Sequence, residues 1–209
     1  MKTIVVFAAK GGAGKTTLAL HLAVAGAQTQ RVAVFDCDSQ QRSAARWGDV
    51  RRASRPEPHV LAVDPSDARR LQDDARTGKL TGGPYELVVI DCPPRVDARS
   101  SAILAIADLI VVPIMPSALD IGALDASLRL IAANGKKAIL VLNDCPPRAR
   151  EVEEAVALLA HEAVPLAPIH IGSRRSYVRA LAAGLTAGEY EPKGAAAAEI
   201  SALYEYMTS

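Results

Sequence analysis

Residues 8–20 read AAKGGAGKTTLAL. The six positions from Lys10 to Lys15 hold three glycines and two lysines, between an apolar run and a helix-like run. Glycine inside a regular element costs roughly 0.5–1 kcal/mol relative to alanine. Something other than stability is gained there. A glycine-rich turn between a strand and a helix lets backbone N–H groups converge on an anion, and the helix N-terminus adds positive potential. The end of the phosphate-loop pattern G-x-x-x-x-G-K-[ST] is intact as Gly14, Lys15 and Thr16. Its first glycine is replaced by Ala9, glycines stand at 11 and 12, and an additional lysine stands at Lys10. In this pattern Lys15 reaches the β- and γ-phosphates, the Thr16 hydroxyl ligates Mg²⁺, and Thr17 lies on the α-phosphate side.

The rest of the chain supplies the frame such a loop needs. Short β-branched runs recur at TIVVFAA, RVAVFD, HVLAVD, ELVVID, LIVVPIM, AILVLN and, more weakly, VPLAPIHI. Each is continuous rather than alternating, which is how strands buried on both faces of a parallel sheet read. Helical spacing fills 15–28, 40–53, 66–77, 99–106, 120–134, 149–162, 175–183 and 194–207. The alternation predicts a doubly wound α/β fold, a mostly parallel sheet of about seven strands with helices on both faces. Segments 50–58 and 81–84 read as loops. The 209 residues show no repeat or internal boundary, and one domain spanning 1–209 is expected.

Composition narrows the partners. Half the residues are hydrophobic and 22% are charged, which fits a globular chain and excludes disorder. A formal net charge of +1 gives no global attraction to a polyanion, so any such contact needs a local basic patch. Three cysteines, Cys37, Cys92 and Cys145, without close spacing make neither a disulfide framework nor a zinc site. No signal peptide is expected either, and the two readings together point to a reducing cytoplasm. No apolar run approaches the roughly 18 residues that span a bilayer.

KGGAGKTT resembles the deviant Walker A motif, K-G-G-x-G-K-T-T, of the ParA/MinD class of P-loop ATPases. The resemblance implies an Mg-dependent ATPase whose ATP or ADP is cradled by Lys10, Gly11, Gly12, Ala13, Gly14, Lys15, Thr16 and Thr17. It makes Lys10 the signature lysine, which crosses an ATP-dependent homodimer to touch the partner's nucleotide. YELVVIDCPP resembles the family's segment ending IDTPP, so Asp91 is the expected Walker B carboxylate, holding Mg²⁺ through water. VFDCDSQQRS resembles the segment VDxDPQxS; it places Asp36 near the metal and Asp38 near the attacking water, in the switch position. Two carboxylates one residue apart, just beyond a strand, can engage Mg²⁺ and orient a water together. Serine stands at 39 where the family has proline. Asp120, in VPIMPSALDIGAL, is a candidate nucleotide or cross-dimer contact. Asn143, in VLNDCPPRAR, is a candidate adenine contact, because its amide matches the base's donor and acceptor. A third strand-end aspartate, Asp64, reads as a helix cap. The tail from Ile169 also resembles ParA proteins, so the likeness runs the length of the chain.

Within the class the chain resembles short plasmid-type ParA proteins, which partition DNA. By that likeness an N-terminal helix-turn-helix domain is not expected. The likeness implies an ATP-bound dimer that binds non-specific DNA on the nucleoid, and a ParB-like centromere-binding activator. Arg174, Arg175 and Arg179 form the candidate DNA-binding cluster, with Lys136 and Lys137 a second basic pair; such residues supply phosphate contacts. A MinD-like positioning ATPase would carry a basic amphipathic C-terminal helix for membrane. Here EISALYEYMTS is acidic, with no Lys or Arg after Lys193, so membrane is not expected as a partner. A nitrogenase-reductase-like protein would need cluster-ligating cysteines, and DCPP at Cys92 and Cys145 does not resemble them. A P-loop biosynthetic enzyme of the dethiobiotin-synthetase kind shares the loop but would turn over without DNA or a protein partner. A slow basal ATPase raised by DNA and a partner separates the two.

Overall fold

The six strongest apolar runs lie side by side in one parallel sheet. The computed structural model describes residues 1–55, 57–81 and 83–209. Strands β1 (Lys2–Val6), β2 (Val32–Asp36), β3 (His59–Ala62), β4 (Leu87–Asp91), β5 (Leu109–Ile114) and β6 (Ala138–Leu142) are ordered β3-β2-β4-β1-β5-β6, and every pairing is parallel. Within a strand, neighbouring residues feed opposite cores. Val5, Ala33, Phe35, Val88 and Ile90 enter one cluster, while Ile4, Val6, Val32, Val34 and Val89 enter the other. Period-two alternation is therefore present, but both faces are apolar, which is why the runs read as continuous.

Helices α1 (Lys15–Gly26), α2 (Ser43–Arg52), α3 (Ala68–Thr77), α4 (Ala98–Ala105), α5 (Ala118–Gly122), α6 (Leu124–Ala133), α7 (Arg150–Leu159), α8 (Arg175–Ala182), α9 (Ala187–Tyr190) and α10 (Ala195–Thr208) cover the two faces. Helices α1, α2, α8, α9 and α10 supply one cluster; α3, α4, α6 and α7 supply the other. Asp64 caps a 3₁₀ turn at Pro65–Asp67 by accepting from the Ser66 N–H, the cap its sequence context predicts. The last helix buries Ala196, Ala197, Ile200, Leu203 and Met207 against the α1 side of the sheet. Its apolar face is thus covered by the body of the protein. Among the described residues no helix is long and apolar enough to cross a membrane.

Two expectations need correction. The seventh run, 164–171, is not a strand. It tracks β6 through single contacts, Leu140 N–H to the Pro165 carbonyl and Ala167 N–H to the Leu140 carbonyl, both 2.8 Å. Pro165 and Pro168 have no N–H to donate, so a ladder cannot extend. The loop expected from 50 begins later, because α2 continues to Arg52. Helix α9 is short and was not foreseen; Thr186 and Glu189 form a capping box that starts it. Of the two expected loops, Pro56 and Gly82 lie outside the described residues.

Candidate functional site

The loop 8–14 joins β1 to α1 at the carboxyl edge of the sheet, where open α/β sheets bind ligands. Gly12 (φ 84°) and Gly14 (φ 86°) are left-handed, a conformation that costs glycine little. A Cβ on Gly14 would stand 2.1 Å from Asn143 Nδ2. The loop is pinned from two sides. The Ala9 N–H donates to Ser127 Oγ of α6 at 2.9 Å, and Asn143 Nδ2, beyond β6, donates to the Ala13 carbonyl at 2.8 Å. Asn143 is buried and holds the loop's own backbone. Ser127 escaped the sequence reading; its signal is a serine on the buried face of α6, between Leu124 and Ile131.

The two lysines of the loop point to different places. Lys15 is buried and donates from Nζ to the Lys10 carbonyl at 2.9 Å. Burial lowers its pKa from the usual lysine value, opposed first by the charge of Asp91 and also by that of Asp38. Lys10 turns away from the cradle and ion-pairs with Asp120 Oδ2 at 2.8 Å, its side chain 39% exposed against 8% for Asp120. Ser117, which caps α5, also hydrogen-bonds that carboxylate. The structure thus joins Asp120 to Lys10 within one chain.

Three carboxylates stand at or just beyond the carboxyl ends of β2 and β4. Asp91 ends β4 and accepts the Thr16 hydroxyl on Oδ2 at 2.6 Å, while its buried Oδ1 has no partner. Burial pushes its pKa up to about 7, with the Thr16 bond opposing and the charge of Asp36 adding. Asp36 ends β2 and accepts from the N–H groups of Asp38 (3.1 Å) and Ala45 (2.8 Å), so it orients the loop between β2 and α2. Burial raises its pKa as well. Asp38 accepts from the N–H groups of Gln40 and Gln41, both at 3.1 Å, and its carbonyl accepts from Arg42. These bonds fix the loop at Ser39, where the family pattern has proline. An unpartnered buried carboxylate oxygen beside a threonine hydroxyl suits a hard, oxygen-seeking cation. Among the described residues no cluster of three or more His, Cys, Asp or Glu forms. Mg²⁺ fits that arrangement, since it keeps waters and takes phosphate oxygens beside one or two protein groups. Thr16 and Asp91 are the residues that would hold it.

Gly11, Gly12, Gly14, Lys15, Thr16, Thr17 and Asp38 line a cleft of about 510 Å³. The arginines lie elsewhere. Arg174, Arg175 and Arg179 line a second cleft of about 590 Å³ with Ser173, Ser176 and Tyr190. Arg174 is already engaged: Glu199 Oε1 accepts its Nη2 at 2.6 Å and Nε at 2.9 Å, and Oε2 accepts Tyr177 Oη and the Gly172 N–H. Among the described residues Arg175 and Arg179 have no ion-pair partner. Lys136 and Lys137 precede β6, at the opposite end of the sheet from the phosphate loop. The three cysteines are buried free thiols, and burial raises the pKa of each.

A parallel sheet with this strand order, a lysine-flanked phosphate loop and a carboxylate at the end of β4 define a P-loop nucleotide-binding protein of the ParA/MinD type. The chain belongs to the family described as ATPase MipZ, whose model matches residues 2–160. It is 30% identical over 205 residues to the maintenance of carboxysome distribution protein A of Halothiobacillus neapolitanus, covering 94% of this chain and 91% of that one. It is 32% identical over 201 residues to the protein of the same name from Gloeobacter kilaueensis, covering 95% and 89%. Among solved structures, apo McdA of Cyanothece superposes with a TM-score of 0.80 over 99% of each chain, at 18% identity.

Proposed function

We propose that this chain is an Mg-dependent positioning ATPase that pairs with a second copy of itself when ATP is bound. The observation that carries the reading is the placement of Lys10. It sits on the outer edge of the loop, half-exposed and outside the cradle that Lys15 fills. Its own nucleotide gains little from it that Lys15 does not already supply. A partner's nucleotide across a shared face would gain a second cation where charge develops on the terminal phosphate.

The roles of the other residues follow from where they lie. Backbone N–H groups of residues 11–17 bind the phosphates, with Lys15 on the terminal pair. Thr16 and Asp91 hold Mg²⁺, which supplies charge neutralisation at the phosphates. Asp36 orients the loop that carries Asp38 near the metal, and Asp38 orients the attacking water. Asn143 holds the loop from the adenine side and offers its amide oxygen to the base. Arg175 and Arg179, with Arg174 once it leaves Glu199, bind DNA phosphates without sequence preference. A partner protein accelerates an otherwise slow hydrolysis.

The names of the two relatives favour a carboxysome-like cargo over a plasmid with a ParB-like activator. The nucleoid would then be the track rather than the load. A biosynthetic enzyme would give Lys10 no task. The test is steady-state ATP hydrolysis by the wild type and Lys15→Ala, with and without random-sequence duplex. Slow turnover, raised by duplex and abolished in Lys15→Ala, supports the proposal. Fast turnover indifferent to DNA and to protein concentration argues for the biosynthetic class.

A further inference from the structure

The cleft beside the phosphate loop has two unlike ends. One is the loop itself. The other is apolar, lined by Leu20 of α1, Trp47 and Val50 of α2, and Leu181 and Ala182 of α8. Strand order decides which end a nucleotide covers. β4 and β2, which lead to Asp91 and Asp38, lie on one side of β1, whereas β5 and β6, which lead to Asn143, lie on the other. A triphosphate with its terminal phosphate toward Asp91 and Asp38 trails its nucleoside toward β6. The apolar end follows α2, beyond that terminal phosphate, and a nucleotide so placed leaves it uncovered.

Two features say what would cover it. First, its lips are apolar and exposed: Val50 is 54% and Val178 74% accessible. Val178 lies one turn before Leu181 and Ala182, so the three share a face of α8. Second, the α2 side is basic. Arg42, Arg46 and Val50 follow at four-residue spacing and are all exposed. Among the described residues Arg42 and Arg46 have no ion-pair partner, while Asp49 on the same helix pairs with Arg52 at 3.6 Å. Arg175 and Arg179 open onto the separate cleft described above.

We propose that this groove docks an acidic amphipathic helix of a partner protein. Its apolar stripe covers Val50, Val178 and Leu181 above the buried Trp47, and its acidic residues meet Arg42 and Arg46. DNA would use the arginines but leave the apolar lips in water. A second copy of this chain pairs, on the reading above, through Lys10 on the Asp120 side of the loop, and at this groove it would set like arginines against each other. The regulatory consequence rests on the reading of the chain as a partner-stimulated ATPase. A helix seated here touches Gln41 and Ser43, in the segment after Asp38, and so reaches the water-orienting carboxylate without entering the phosphate cradle.

The test pans displayed random 16-residue peptides against the protein loaded with a non-hydrolysable ATP analogue and Mg²⁺. Enriched peptides are then synthesised, and binding is followed through Trp47, the chain's single tryptophan. The proposal expects net-acidic peptides with apolar residues three and four apart. Their affinity should fall at least tenfold in Val178→Asp, which keeps basal ATP hydrolysis, and fall as salt rises. Peptides without that pattern, binding to Val178→Asp as to wild type, or displacement of the peptides by duplex DNA would each overturn it. Acidic peptides that bind wild type while no ATP is hydrolysed would uphold the groove and count against the ATPase reading instead.

Discussion

Lys10 and Asp120 form a contact that would have to open for Lys10 to reach another subunit as proposed. The pair is half-exposed on the lysine side, so its worth is about 1 kcal/mol, or about a fivefold change in an equilibrium. Asp120→Asn should therefore lower the nucleotide concentration at the dimerisation midpoint several-fold, as read by light scattering. Weaker dimerisation would mean that Asp120 also contacts the partner. A second single-residue effect concerns His21 of α1, buried between the phosphate-loop helix and α9. Its Nε2 accepts the Ala187 N–H at 2.9 Å, so Nδ1 carries the proton and donates to the Thr17 carbonyl at 2.7 Å. Burial lowers its pKa to about 4. A base with a depressed folded pKa stabilises the fold fully above its unfolded value of 6.5 and loses that contribution as pH falls toward 4. The span corresponds to about 3 kcal/mol. Thermal unfolding should show a loss of stability between pH 6.5 and 4 that is much reduced in His21→Gln. An equal loss in that variant would assign the acid sensitivity elsewhere.

At the scale of elements, the phosphate loop depends on neighbours that are distant in sequence. Gly14→Ala places a methyl against the Asn143 amide and forces a left-handed backbone on alanine. The variant should lose nucleotide affinity more than tenfold, measured by calorimetry, while remaining folded. Helix α2 is tied to the C-terminal helices by Arg51, which is buried. Its guanidinium donates to Glu189 through Nη1 and Nη2, both at 2.8 Å, and to the carbonyls of Gly184 and Glu57. Removing one partner of a buried ion pair costs about 3–5 kcal/mol. For a chain of this length Arg51→Ala should lower the melting temperature by about 10 °C. A change of a degree or two would show that Glu189 finds another partner, for which Arg55, at 3.5 Å, is placed.

The whole molecule shows why some of this was readable in the chain and some was not. The phosphate loop, Asp91 and six strands announce themselves because each is a local pattern: glycines beside Lys15, or an apolar run that ends in a carboxylate. The seventh strand fails for a local reason too, since Pro165 and Pro168 were in view but their missing donors count only against a partner strand. Ser127, Glu199 and the Lys10–Asp120 pair were not legible, because each contact joins residues that only the fold brings together. Arg174 illustrates the same limit. Its charge was plain in the sequence, but its engagement by Glu199 was not. The proposed function stands on ATP joining two copies of this chain through Lys10. Sedimentation velocity with a non-hydrolysable ATP analogue and Mg²⁺ decides it. Wild type should sediment as a dimer with the analogue and as a monomer with ADP, and Lys10→Ala should remain monomeric with either. A Lys10→Ala protein that dimerises as strongly as wild type would contradict the claim.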